Sequence, residues 1–171
     1  MPLTRGSRTH LSQDLFDDLN RDDLPAAYFR HMNHVGREVA EALTETRRPT
    51  IEQDSDSWAG NAIENLHHHL DSEEAWLVIE RLVAAAANSR DLSSIGAGPL
   101  EDLMRVDGGR FVDRLGELVG RDDRWAYAAG TMYETSAPAA ASVIGSIRDS
   151  HGRTWKEFGE HLDAMLAADQ P

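Results

Sequence analysis

The sequence contains no cysteine, which removes disulfides, thiolate zinc sites and cysteine nucleophiles together. Lysine is almost as scarce: 16 of the 17 basic side chains are Arg, and Lys156 is the one Lys. Long apolar runs are missing too, since the longest, Leu82–Ala87, falls far short of the roughly 20 residues a membrane-spanning helix needs. The first residues, Met1-Pro2-Leu3-Thr4-Arg5, are basic but lack the apolar stretch of a secretory signal. A cytoplasmic location is the expectation. No G-x-x-x-x-G-K, strand-linked G-x-G-x-x-G or G-x-S-x-G occurs, so the phosphate-loop, dinucleotide-binding and nucleophile-elbow chemistries have no footing.

What the chain has in excess is negative charge. Thirty acidic side chains against 17 basic ones give a net charge of −13 over 171 residues. Residues 61–123 are the most acidic third, with 13 acids and 6 bases, against 11 and 7 in 1–60 and 6 and 4 in 124–171. Such a field repels phosphate backbones and anionic lipids, so neither nucleic acid nor a membrane surface is an expected partner. The nearest basic pair, Arg47-Arg48, runs directly into Glu52, Asp54 and Asp56. A chain of this length buries enough surface to hold a core without a metal or disulfide. One helical domain over 14–168 is expected, behind a flexible polar arm at 1–13.

Apolar residues recur at the helical period along most of the chain. Asp23 as N-cap and Pro25 in the first turn open a helix, with Tyr28, Met32, Val35, Val39, Ala42 and Leu43 as its stripe. Residues 46–57 read as a polar linker or loop. A second helix follows to Leu70, and Asp71 with Glu74 resembles a capping box for a third, whose stripe is Trp76, Ile79, Leu82, Val83 and Ala86. Its Ala84–Ala87 run looks smooth enough for close helix packing. Gly98-Pro99 opens a short helix that Gly108-Gly109 stops, and Phe111, Leu115, Leu118 and Val119 mark the next. Asp122 or Asp123, Pro138 and Thr154 open three more. No convincing period-two alternation appears, so the fold class is all-α: seven or eight short helices in a compact bundle or an irregular HEAT-like stack.

Residues 75–133 carry a Trp-bearing helix (Trp76), the run Ile95-Gly96-Ala97-Gly98-Pro99-Leu100-Glu101-Asp102-Leu103, an amphipathic helix from Phe111 to Val119, the turn Arg121-Asp122-Asp123-Arg124-Trp125, and Tyr133. This order resembles an uncharacterised bacterial all-α domain family of unknown function with an Ala-Gly-Pro-Leu-Glu-Asp-Leu signature. Two departures stand out: no Pro follows the Asp of the turn, and Tyr133 occupies a position where that family tends to have Trp. The resemblance implies an all-α fold in a bacterial cytoplasm and no activity.

Three functional expectations follow. The first is an acidic, non-catalytic protein-binding module, in concrete form an immunity or masking protein that neutralises a basic partner. Its face would use Glu64, Asp71, Glu73, Glu74, Glu101, Asp102, Asp113 and Glu117. No cofactor is called for. The alternative is a metal-binding protein or metal-dependent hydrolase: His31, His34 and Glu38 share one helical face, and His68 of the His67-His68-His69 run could join them. The third is a structural or adaptor subunit, with the apolar faces of 138–166, Trp155 and Phe158 included, turned towards neighbours. At Gly98-Pro99-Leu100-Glu101-Asp102 the two carboxylates suit the helix dipole and would repel a phosphate, so cations or backbone donors are their expected partners.

Overall fold

The computed structural model describes residues 13–50, 54–64, 66–133, 137–150 and 154–168. Among the described residues the fold is all-α: ten α-helical segments, a π-turn, one 3-10 turn and no strand. The arm expected over 1–13 lies outside the described residues except for Gln13, which begins the first helix. The chain divides into two compact units, Met1–His69 and Leu70–Pro171, taken here in turn.

The first unit holds α1 (Gln13–Asn20), α2 (Leu24–Thr44), α3 (Ser57–Glu64) and the single turn α4 (Leu66–His69). Pro25 sits in the first turn of α2 as expected, but Asp23 makes no capping bond. Its two oxygens instead accept Arg21 Nε and Nη2, each at 2.9 Å. The charged fork outcompetes a neutral backbone donor. Leu24, Ala27, Tyr28 and Phe29 are buried, while Met32, Val35 and Val39 are only half-buried. Leu43, assigned to the same stripe, is 74 % exposed. The helix ends in a Schellman turn, with Arg47 N bonded to Ala42 O at 2.9 Å and Thr46 N to Leu43 O at 3.3 Å. The residue that must turn left-handed there is Thr46, with φ 54°.

The second unit contains α5 (Ser72–Ala85), α6 (Ser89–Ile95), the π-turn Gly96–Leu100, α7 (Glu101–Val119), α8 (Asp123–Gly130), the 3-10 turn Pro138–Ala140, α9 (Ala141–Ser150) and α10 (Trp155–Ala168). Its caps follow from the sequence. Asp71 accepts Glu74 N, Asp122 accepts Arg124 N, and Thr154 and Glu157 cap each other reciprocally. The core is aromatic: Trp76 lies between Phe111 and Trp125, nearly parallel to both, at centroid distances of 5.0 and 5.3 Å. A second cluster joins Tyr127, Trp155 and Phe158.

The helix break expected at Gly108-Gly109 falls one residue earlier: the backbone leaves helical values at Asp107 (φ −140°, ψ 30°), and a second helical stretch follows it within α7. The missing side chain of Gly108 serves packing, because a Cβ there would press on Ala139. The alanine run, in contrast, does not support close packing. Ala84, Ala85 and Ala87 are exposed, since α5 stops at Ala85 and only Ala86 turns inward.

Candidate functional site

Along the polar flank of α2, residues 46–50 and 54–56 are tied back by carboxylate bonds. Glu38 Oε1 accepts Arg47 Nη1 at 2.7 Å and Thr50 N at 2.9 Å. Asp56 takes both prongs of Arg30, at 2.8 and 2.9 Å, and Asp54 contacts His31 Nδ1 at 3.2 Å. The Arg47 guanidinium, then the Thr50 N–H, hold the Glu38 carboxyl below its ordinary range, and Arg30 does the same for Asp56. Beside the Glu38–Arg47 pair lies an open concavity of about 540 Å³ lined by His34, Glu38, Arg47 and Thr50.

Of the four metal candidates, His34 and Glu38 line this concavity, and His31 and His68 do not. His31 packs on α3 so closely that a Cβ on Gly60 would overlap its ring. Glu38 serves Arg47 and Thr50, His34 lines the concavity, and His68 lies on α4 with its ring against that of His67. Among the described residues no group of three or more His, Asp or Glu side chains is placed to hold a metal ion.

Several of the eight carboxylates are already engaged within the chain. Glu64 belongs to the first unit and the other seven to the second. Within the second unit Asp71 caps α5. Glu73 is bridged to Arg110 and Arg114 at 3.0 and 3.3 Å. Asp102 bonds Arg105 at 2.7 Å, and Glu117 bonds Arg121 at 3.3 Å. Glu74, whose N–H closes the α5 cap, is half-buried, whereas Asp113 projects from α7 to solvent. Glu101 found a backbone donor: its Oε2 accepts Tyr133 N at 2.7 Å. The apolar residues of 138–166 face inward. Ile144, Ile147, Phe158, Leu162 and Leu166 are each at most 2 % exposed, and Trp155 lies against Gly130, where a Cβ would overlap its ring.

Sequence reading missed the arginines that neutralise this surface and the exposure of Tyr133. The i, i+3 and i, i+4 pairs of α7 were available from spacing. Arg30 with Asp56 and Arg114 with Glu80 join residues 26 and 34 apart, which no local pattern indicates. Among the described residues no helix is long and apolar enough to cross a membrane.

Neither a curated protein nor a solved structure matches the chain. One family model does, over residues 46–151, a span that encloses the α5–α8 core and begins at the turn after α2. With more than half of its length matched, the chain belongs to the Family of unknown function (DUF6869).

Proposed function

We propose that this protein is an acidic, non-catalytic binding module that engages a basic protein partner, an immunity or masking protein being the concrete form. The observation that carries this reading is how its charges are spent. Seven arginines among the described residues are already within ion-pair distance of carboxylates of the same chain. What remains for a partner is the surplus: 12 acids against 7 bases in residues 1–69, and 18 against 10 in 70–171. A surplus of this sign in both units accelerates encounter with a cationic surface and disfavours anionic ones.

Affinity capture from the host extract, eluted in rising salt, tests it. The expected result is one stoichiometric basic protein that leaves with salt. With that protein purified, the association rate should fall about tenfold or more from low to high ionic strength. Retention of no basic protein at low salt would remove the reading.

A further inference from the structure

Three large apolar side chains among the described residues are conspicuously exposed, Leu43, Val106 and Tyr133, and Tyr133, at 67 %, is the one aromatic of the three. Its surroundings are fixed from two directions. On one side the π-turn Gly96–Leu100, broken at Gly98 (φ −132°, ψ −111°), redirects the chain so that α7 begins at Glu101. On the other, α8 ends at Gly130 and Thr131 Oγ1 donates to Ala128 O at 2.7 Å, leading the chain out to Tyr133. The two sides lie in close contact. A Cβ on Gly96 would overlap both the Ala128 carbonyl oxygen and Thr131 Oγ1. Across this contact Glu101 Oε2 accepts Tyr133 N at 2.7 Å. Its other oxygen, Oε1, accepts no bond among the described residues. The nearby cation Arg105 is already held by Asp102 at 2.7 Å.

An exposed ring and a half-used carboxylate, both attached to pinned backbone, suit one ligand group better than others. A guanidinium can stack flat on a tyrosine ring while its N–H edge forks onto a carboxylate. An anion would meet Glu101, and a purely apolar group would leave Glu101 Oε1 facing it without a donor. Because the Tyr133 backbone and the Glu101 carboxylate are already joined before binding, only the side chains need to be ordered on contact. Tyrosine and arginine are also the residues over-represented among those that dominate binding energy at interfaces.

We propose that Tyr133 and Glu101 form the point at which this module takes an arginine of its basic partner. The ring stacks on the guanidinium and Glu101 Oε1 accepts its N–H groups. This rests on the acidic-module reading above and assigns that reading a place on the surface.

The test titrates the full chain, its tyrosine rings labelled with carbon-13, with a six-arginine peptide at low salt. Of the three tyrosines, Tyr133 should shift, while Tyr28 and Tyr127, both buried, should not. Tyr133→Ala and Glu101→Gln should each weaken the peptide about fivefold, within what stacking and charge-assisted bonds supply. Tyr133→Phe should bind like the wild type. Glu101→Gln retains an acceptor for Tyr133 N, and far-UV circular dichroism checks that each variant is folded. Glu160→Gln, an exposed acid on α10, should change nothing. Salt-dependent binding that ignores Tyr133 and Glu101 overturns the docking point and leaves the acidic module standing. Absence of binding at low salt overturns both. Equal affinity for six lysines removes the stacking.

Discussion

The indole N–H of Trp76 donates to Glu80 Oε1 at 2.8 Å, and the same oxygen accepts Arg114 Nη2 at 2.6 Å. Arg114 in turn lies 4.8 Å above the Trp76 ring. A fully buried tryptophan needs a partner for its one polar atom. Here the partner is a carboxylate one turn along α5, whose charge is compensated from α7. This closes the rim of the Phe111–Trp76–Trp125 stack.

Trp76→Phe should therefore cost far less than Trp76→Ala. The first keeps most of the ring volume and leaves Glu80 with Arg114, for a loss of about 1–2 kcal/mol. The second opens a cavity in a core with no other filler and should cost about 3–5 kcal/mol. Urea titration monitored by circular dichroism separates the two, and equal losses would show that the indole bond rather than the packing dominates.

Two glycines of the second unit predict opposite outcomes for the same change. At Gly96 a Cβ would overlap the Ala128 carbonyl, which is backbone and cannot rotate away. Gly96→Ala should cost several kcal/mol, about the size of a severe overpacking defect. At Gly109 a Cβ meets nothing within 4 Å, and the residue is helical in α7. Gly109→Ala should stabilise by about 0.5–1 kcal/mol by restricting the unfolded chain. Melting temperatures moving in the same direction for both variants would contradict the packing described.

The glycines also show what the sequence could and could not tell. Gly108-Gly109 marked a break, and the backbone leaves helical values one residue before it, at Asp107; that Gly108 and Gly109 themselves open the following helical stretch was not legible. Capping at Asp71, Asp122 and Thr154 was legible because a cap depends on residues two or three apart. Asp23 escaped the same rule because Arg21 sat near enough to take both its oxygens. The eight carboxylates were visible as residue types, but which remain bare depends on arginines brought in by the fold. The clearest case is Glu73, met by two arginines 37 and 41 residues away. Tyr133 was legible as the aromatic that ends the family-like stretch; that it stands clear of the core depends on where α8 stops.

Thr46 carries the strain of the α2 terminus. A β-branched residue at φ 54° crowds its own backbone, at a cost of roughly 1–2 kcal/mol. Glycine is the usual occupant of this position in a Schellman turn. Thr46→Gly should raise stability by about 1 kcal/mol, seen as a higher melting temperature with an unchanged urea slope. A destabilised variant would mean that the Thr46 side chain holds a contact worth more than the strain.

Acid should loosen the attachment of residues 46–50 and 54–56 to α2. Glu38 and Asp56 are both held below their ordinary values, chiefly by hydrogen bonds from Arg47 and Arg30. For a carboxyl whose folded value is depressed, the stabilising contribution is complete above the unfolded value. It is lost as pH falls through the folded one. The attachment should thus be constant at neutral pH and weaken below about pH 4, where unperturbed carboxyls begin to protonate. Glu38→Gln keeps an acceptor for Thr50 N but removes the charge. Its melting temperature should fall less steeply than the wild type's between pH 5 and pH 3, while the two remain parallel from pH 6 to pH 8. Parallel curves throughout the acid range would show that Arg47 and Glu38 contribute nothing as an ion pair, leaving the Thr50 bond and the Arg30–Asp56 pair to hold the segment.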